Sequence, residues 1–159
     1  MANTQSMCTS FMGELLNATH NFSATNPAHT LNTVDTFKAA LYLASATLNA
    51  STTAYSVTGE VSGTGYSAGG VAVTNATAPT ATNASATAGT AYWTPSASLV
   101  YTTVTLTTAF DTVLIYNSSQ ANKAVSVHTF GSQVVTAGTF TLTMPANGTT
   151  TALLRLATT

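Results

Sequence analysis

Four carboxylates, three histidines and one thiol are all that this 159-residue chain offers for acid–base, nucleophilic or metal chemistry. Glu14 and His20 stand near each other in sequence and His29 follows them. A helical metal site would space two histidines as H-x-x-x-H, and no such spacing occurs, so these residues read as solvated or capping polar groups. Cys8 is the only cysteine, which excludes an intrachain disulfide and a cysteine-based zinc site within one chain. His128 lies beside Val127 in an alternating stretch and reads as a sheet-surface or interface residue rather than a general base. Glu60, between Gly59 and Val61, reads as a turn carboxylate accepting backbone N–H bonds, with ligand contact as the alternative. Gly63-Thr64-Gly65 and Gly69-Gly70 superficially suggest a phosphate loop, but the G-x-x-x-x-G-K-[ST] pattern and its lysine are missing. The sequence therefore predicts no catalytic, metal or cofactor-binding residues.

Binding is the remaining chemistry. Phe11, Leu15 and Leu16 share one face of a short helix expected within Ser10–Phe22, with Ser10 as its N-cap. Tyr92 and Trp93 form an aromatic pair ahead of Thr94-Pro95, suited to a core, a subunit contact or a sugar platform. These five residues are the candidate subunit or partner contacts. Seven Asn-x-Ser/Thr sequons occur, at Asn17, Asn21, Asn49, Asn75, Asn83, Asn117 and Asn147, but Ser and Thr are so common that such matches arise by chance.

The elements that must position these residues are β-strands. One domain is expected, a β-sandwich over 35–159 with a low-complexity loop at 75–91, preceded by an N-terminal arm over 1–34 that carries the short helix and a loop around Pro27. Asp35–Leu48 fits a helical stripe and a strand alternation, and strand is preferred because Thr, Tyr and Val dominate its neighbours. Tyr55–Thr74 reads as short strands joined by glycine turns, and Asn75–Ala91, with no charge or aromatic residue, as a long exposed loop. Strands are expected in Leu99–Thr108, Thr112–Tyr116, Ala124–Phe130, Thr139–Met144 and Ala152–Leu156, with Leu154 and Leu156 inward and Arg155 outward. The predicted fold is mainly β: an antiparallel β-sandwich or jelly roll with a short N-terminal helix.

Composition narrows the function classes. Only 4% of residues are charged, and Lys38, Lys123 and Arg155 are the only cations besides histidine, too few for binding to a phosphate backbone. No apolar run approaches the roughly 20 residues of a membrane-spanning helix, and the polar, uncharged start predicts cytoplasmic synthesis without a secretory signal. Thr contributes 35 residues and Ala 27, giving strands an uncharged hydroxyl face that desolvates more cheaply than a charged one. With a net charge of -1, a free subunit is expected to oligomerise or join a lattice near neutral pH.

Several segments resemble a known family. MCTSF-x-x-ELLN at Met7–Asn17, TFKAALYLA at Thr36–Ala44, TTAYSVTGEVSGTGYSAGG at Thr52–Gly70, FDTVLIYNSSQANKAVSVHTFGSQ at Phe110–Gln133 and TAGTFTLTMPANGTTTALLRLA at Thr136–Ala157 resemble small structural proteins of tailed-bacteriophage virions. That resemblance covers most of the chain outside Asn75–Ala91 and brings no catalytic residue with it. It implies localisation in the virion and partnership with other virion proteins, alongside the homo-oligomer expected from the near-zero charge. The expected role is a capsid decoration or cement protein; a neck or tail adaptor and a host-surface glycan-binding module are the alternatives.

Overall fold

A computed structural model describes residues 2–23, 34–75, 78–83 and 88–158. Among these residues the fold is mainly β, with two antiparallel sheets and one short helix. The elements in chain order are β1 (Ser6–Met7), α1 (Thr9–Leu16), β2 (Phe37–Leu43), β3 (Val71–Ala72), β4 (Thr80–Asn83), β5 (Gly89–Trp93), β6 (Leu99–Asn117), β7 (Lys123–Leu142) and β8 (Leu154–Ala157). The larger sheet runs β1-β7-β6-β2-β3 and the smaller β4-β5-β8.

Within segment 35–48 the preferred strand is found over Phe37–Leu43 as β2, and residues 44–48 lie outside it. The strand lies between β6 and β3, so Ala39 and Leu41 are buried on one face and Ala40 and Tyr42 on the other, which explains why strict alternation was weak in its sequence. Burial on both faces also accounts for the continuous run from Thr112 to Tyr116 on the neighbouring β6.

Three expectations are corrected. The four strand segments expected between Leu99 and Met144 are two long strands, β6 and β7, folded as one hairpin over the turn at residues 118–122. Their alternation breaks at bulges, where the register shifts and Thr103, Gly131 and Ala137 take positive φ; each bulge resets the two-residue period. Tyr55–Thr74 is largely irregular, touching the sheet through single bridges at Glu60 and Thr64 and through β3. Positive φ at Gly59, Gly65, Gly69 and Gly70 prevents continuous strand, and a Cβ at Gly70 would lie 1.7 Å from the Ala39 carbonyl oxygen. Within Asn75–Ala91, β4 and β5 pair antiparallel from Thr80↔Tyr92 to Asn83↔Gly89, so part of this segment is a hairpin rather than loop. Small Thr and Ala side chains suffice there because the ladder is made by backbone groups.

The two sheets meet at an aromatic seam. Trp93 of β5 packs edge-on against Phe22 at 4.9 Å and lies 6.2 Å from Phe37 of β2, while Phe22 stacks on Phe37 at 4.4 Å. The N-terminal segment thus supplies the filling between the sheets. The expected loop around Pro27, and His29, lie outside the described residues.

Candidate functional site

The helix that carries three of the candidate contacts begins two residues earlier than its sequence suggests. Cys8, not Ser10, is the N-cap, in extended conformation and without a side-chain cap bond. Ser10 falls inside the first turn, and its buried Oγ has no hydrogen-bond partner. Backbone bonds fix the entry instead: Cys8 N–H donates to the Val125 carbonyl and Thr9 N–H to that of Ala50. Burial pushes the Cys8 thiol up to about 11, with the Glu14 carboxylate adding to the shift, so it is protonated and unreactive at neutral pH.

The helix face divides its three apolar residues. Phe11 is buried, packed at 4.9 Å on the His20 ring and edge-on to Phe22 at 6.0 Å. Leu15 is half-buried against the core, whereas Leu16 is 91% exposed. Trp93 is only 2% exposed, and its Nε1–H donates to Asn75 Oδ1 at 2.9 Å. It cannot offer a stacking face to a sugar. Tyr92, its neighbour on β5, is half-buried.

Phe11, Leu15, Tyr92 and Trp93 come together around one cleft of about 90 Å³ between α1 and the smaller sheet, completed by Phe22 and Leu156; Leu16 is not part of it. Leu156, expected inward, is 42% exposed at this cleft, because the short edge strand β8 leaves that side uncovered. An apolar cavity of about 150 Å³ admits a benzene ring. This smaller one fits an aliphatic side chain, and its lining is almost wholly apolar.

Glu14 and His20 are not solvated, contrary to the sequence reading. His20 is buried, its Nε2 2.8 Å from Glu14 Oε2 and its Nδ1 3.0 Å from Asn117 Nδ2. Asn117 Oδ1 accepts from Ser119 N–H, which leaves both amide protons to donate, one to His20 Nδ1 and one to Asp35 Oδ2 at 2.7 Å. His20 therefore carries its proton on Nε2 and donates it to Glu14. Lys123 Nζ donates to the other Glu14 oxygen at 2.7 Å. Burial pushes the Glu14 carboxyl up, but the hydrogen bonds donated by Lys123 and His20, together with the Lys123 charge, outweigh it and hold the carboxyl below the usual range. Asp35 also accepts from Gln120 Nε2 and Asn21 N–H. The network ties the arm to the β6–β7 turn.

Glu60 does accept a backbone N–H, from Gly69 at 2.7 Å, and also the hydroxyls of Tyr55 and Tyr66. Tyr66 in turn accepts the N–H of Leu41. Burial raises the Tyr55 and Tyr66 hydroxyls, and the Glu60 carboxylate that they donate to raises them further. This hub anchors the irregular segment to β2.

His128 is half-buried beside Ser126, whose Oγ lies 2.8 Å from His128 Nε2. The two share a groove of about 470 Å³ with Arg155 and Thr90, and no carboxylate lines it. Ser126 is fully buried, so a substrate cannot reach its hydroxyl, and no carboxylate among the described residues orients the pair. Burial pushes the His128 pKa down to about 4, keeping the ring neutral near pH 7.

No family model, no curated protein and no solved structure matches the chain. The sites therefore stand on their own geometry. Their partners were hidden in sequence: Lys123 and Asn117 stand about a hundred residues from Glu14 and His20, and nothing in the residue spacing joins them.

Proposed function

We propose that this chain is a non-enzymatic structural component of a tailed-phage virion, a capsid decoration or cement protein that works by binding other virion proteins. The observation that carries the reading is the resemblance of Met7–Asn17, Thr36–Ala44, Thr52–Gly70, Phe110–Gln133 and Thr136–Ala157 to small virion proteins. The threonine-rich, nearly charge-free strands support it, since such faces can be buried permanently without stranding charge. Its mechanism is to cover junctions between capsid subunits and to oppose internal pressure by adding buried contact area.

A neck or tail adaptor is the second reading, and the apolar cleft beside α1 favours it: one small socket suits capture of a single apolar side chain from a partner segment. The glycan-binding alternative loses its platform, because Trp93 is buried and its indole N–H is already engaged.

Quantitative mass spectrometry of purified virions separates these readings. A copy number comparable with the major capsid protein supports decoration. A few copies per particle support the adaptor, and absence from particles overturns both.

A further inference from the structure

The two long strands of the central hairpin are treated differently along their outer edges. β6 is covered: β2 pairs with it from Phe110 to Asn117, and farther along Thr105 N–H donates to the Thr64 carbonyl. Gly63 makes that approach feasible, since a Cβ there would lie 2.1 Å from the Thr105 carbonyl oxygen. β7 is covered only near its start, where β1 meets Ser126 and Val127 and Cys8 N–H reaches Val125. From Thr129 to Leu142 its outer edge has no strand partner among the described residues.

That edge is about 45 Å long at the usual strand rise. Half of its backbone N–H and C=O groups point away from β6, a ready template for another strand. Two of the usual protections are missing: Thr129–Leu142 holds no charged residue and no proline. Bulges at Gly131 and Ala137 bend it, yet leave the runs 132–136 and 138–142 between and beyond them. Val134, 60% exposed, stands on the edge strand, and Val100, 43% exposed, lies directly across from Thr141.

We infer that the Thr129–Leu142 edge of β7 is a homotypic docking surface, pairing antiparallel with the same edge of a second copy about a two-fold axis. Charge selects this occupant: the edge is neutral and the chain carries a net charge of -1, so two copies meet with little repulsion, and a basic or acidic partner gains nothing. Two-fold symmetry makes one edge the complement of itself, each outward N–H meeting the carbonyl of the equivalent run. The pairing joins two five-stranded sheets into one and withdraws Val134 from water. It deepens the virion reading by naming how subunits associate, and rests on that reading only for its purpose.

The test is sedimentation equilibrium of the full chain at micromolar concentration, beside the double variants Thr139→Lys/Thr141→Lys and Thr139→Glu/Thr141→Glu. Both threonines are exposed, so the variants should retain the parent near-UV circular dichroism. The parent should sediment at twice the 16.1 kDa of one chain, each variant at the single mass, and an equimolar mixture of the two at twice the mass again. A single-mass parent, or variants that keep the double mass, overturns the pairing. If either variant fails to fold, hydrogen exchange of the parent decides: amides in 129–142 should gain protection with rising concentration, and concentration-independent exchange overturns it. A single-mass chain found at high copy in virions overturns the pairing while leaving the virion reading intact.

Discussion

Asn75 and Trp93, eighteen residues apart, are joined by a hydrogen bond from the indole Nε1–H to Oδ1 at 2.9 Å. The other end of the same amide donates from Nδ2 to the Phe22 carbonyl at 2.8 Å. One side chain thus links the N-terminal segment to the smaller sheet across the aromatic seam. Asn75→Ala strands a buried indole donor and a carbonyl together, and should cost about 2–4 kcal/mol. Urea unfolding followed by fluorescence of the single tryptophan measures it directly, and a loss under about 0.5 kcal/mol would show that water replaces the amide.

Ser10 gives a prediction of the opposite sign. Its hydroxyl is buried without a partner in the first turn of α1, so Ser10→Ala removes an unsatisfied group and substitutes a better helix former. Stability should rise by about 0.5–1.5 kcal/mol, read as a higher urea midpoint at unchanged slope. A fall would mean that the hydroxyl is hydrated in solution.

These two positions show what the sequence could and could not reveal. β2 and the buried half of β6 were legible because Phe37, Leu41 and Thr112–Tyr116 carry burial in their own residue types. The hairpin of β6 and β7 was cut into pieces because bulges at Thr103, Gly131 and Ala137 invert the inside–outside pattern without changing composition. β4 carries no strand signal in its sequence because Thr and Ala there pair through backbone alone. Of the five candidate contacts, Phe11, Leu15, Tyr92 and Trp93 do line one cleft, but which would be floor and which rim depends on Phe22, Asn75 and Leu156, all distant in sequence. Ser favours the cap position, which points to Ser10, but Cys8 holds it because its N–H is drawn to Val125 on β7.

Acid should destabilise the fold in two stages. The folded-state pKa of His128 lies at about 4, below the ordinary 6.5, so between these values the unfolded chain binds more protons and stability falls as pH drops from 6.5 towards 4. Glu14 is held below its ordinary 4.5, so the stability it contributes is present above that value and is lost as pH falls further. His128→Gln should flatten the first stage and Glu14→Gln the second, each leaving the other in place. Thermal melts from pH 7 to pH 3 check this, and an unchanged slope between pH 6.5 and 4 in His128→Gln would show that His128 is not buried in solution.

The cleft and the helix surface make separable claims on a partner. Leu156 is on the cleft wall at the solvent side, whereas Leu16 projects from α1 outside it. Both are exposed enough that a glutamate should cost the fold no more than about 1 kcal/mol. A carboxylate at position 156 would be desolvated by any aliphatic side chain entering the cleft, a penalty large enough to weaken docking by tenfold or more. On the proposed virion reading, Leu156→Glu should therefore reduce incorporation into particles, measured as copy number relative to the parent in a mixed expression, while Leu16→Glu should not. The reverse outcome would move the contact from the cleft to the outer helix face, and equal incorporation of both variants would remove this end of the molecule from the docking surface.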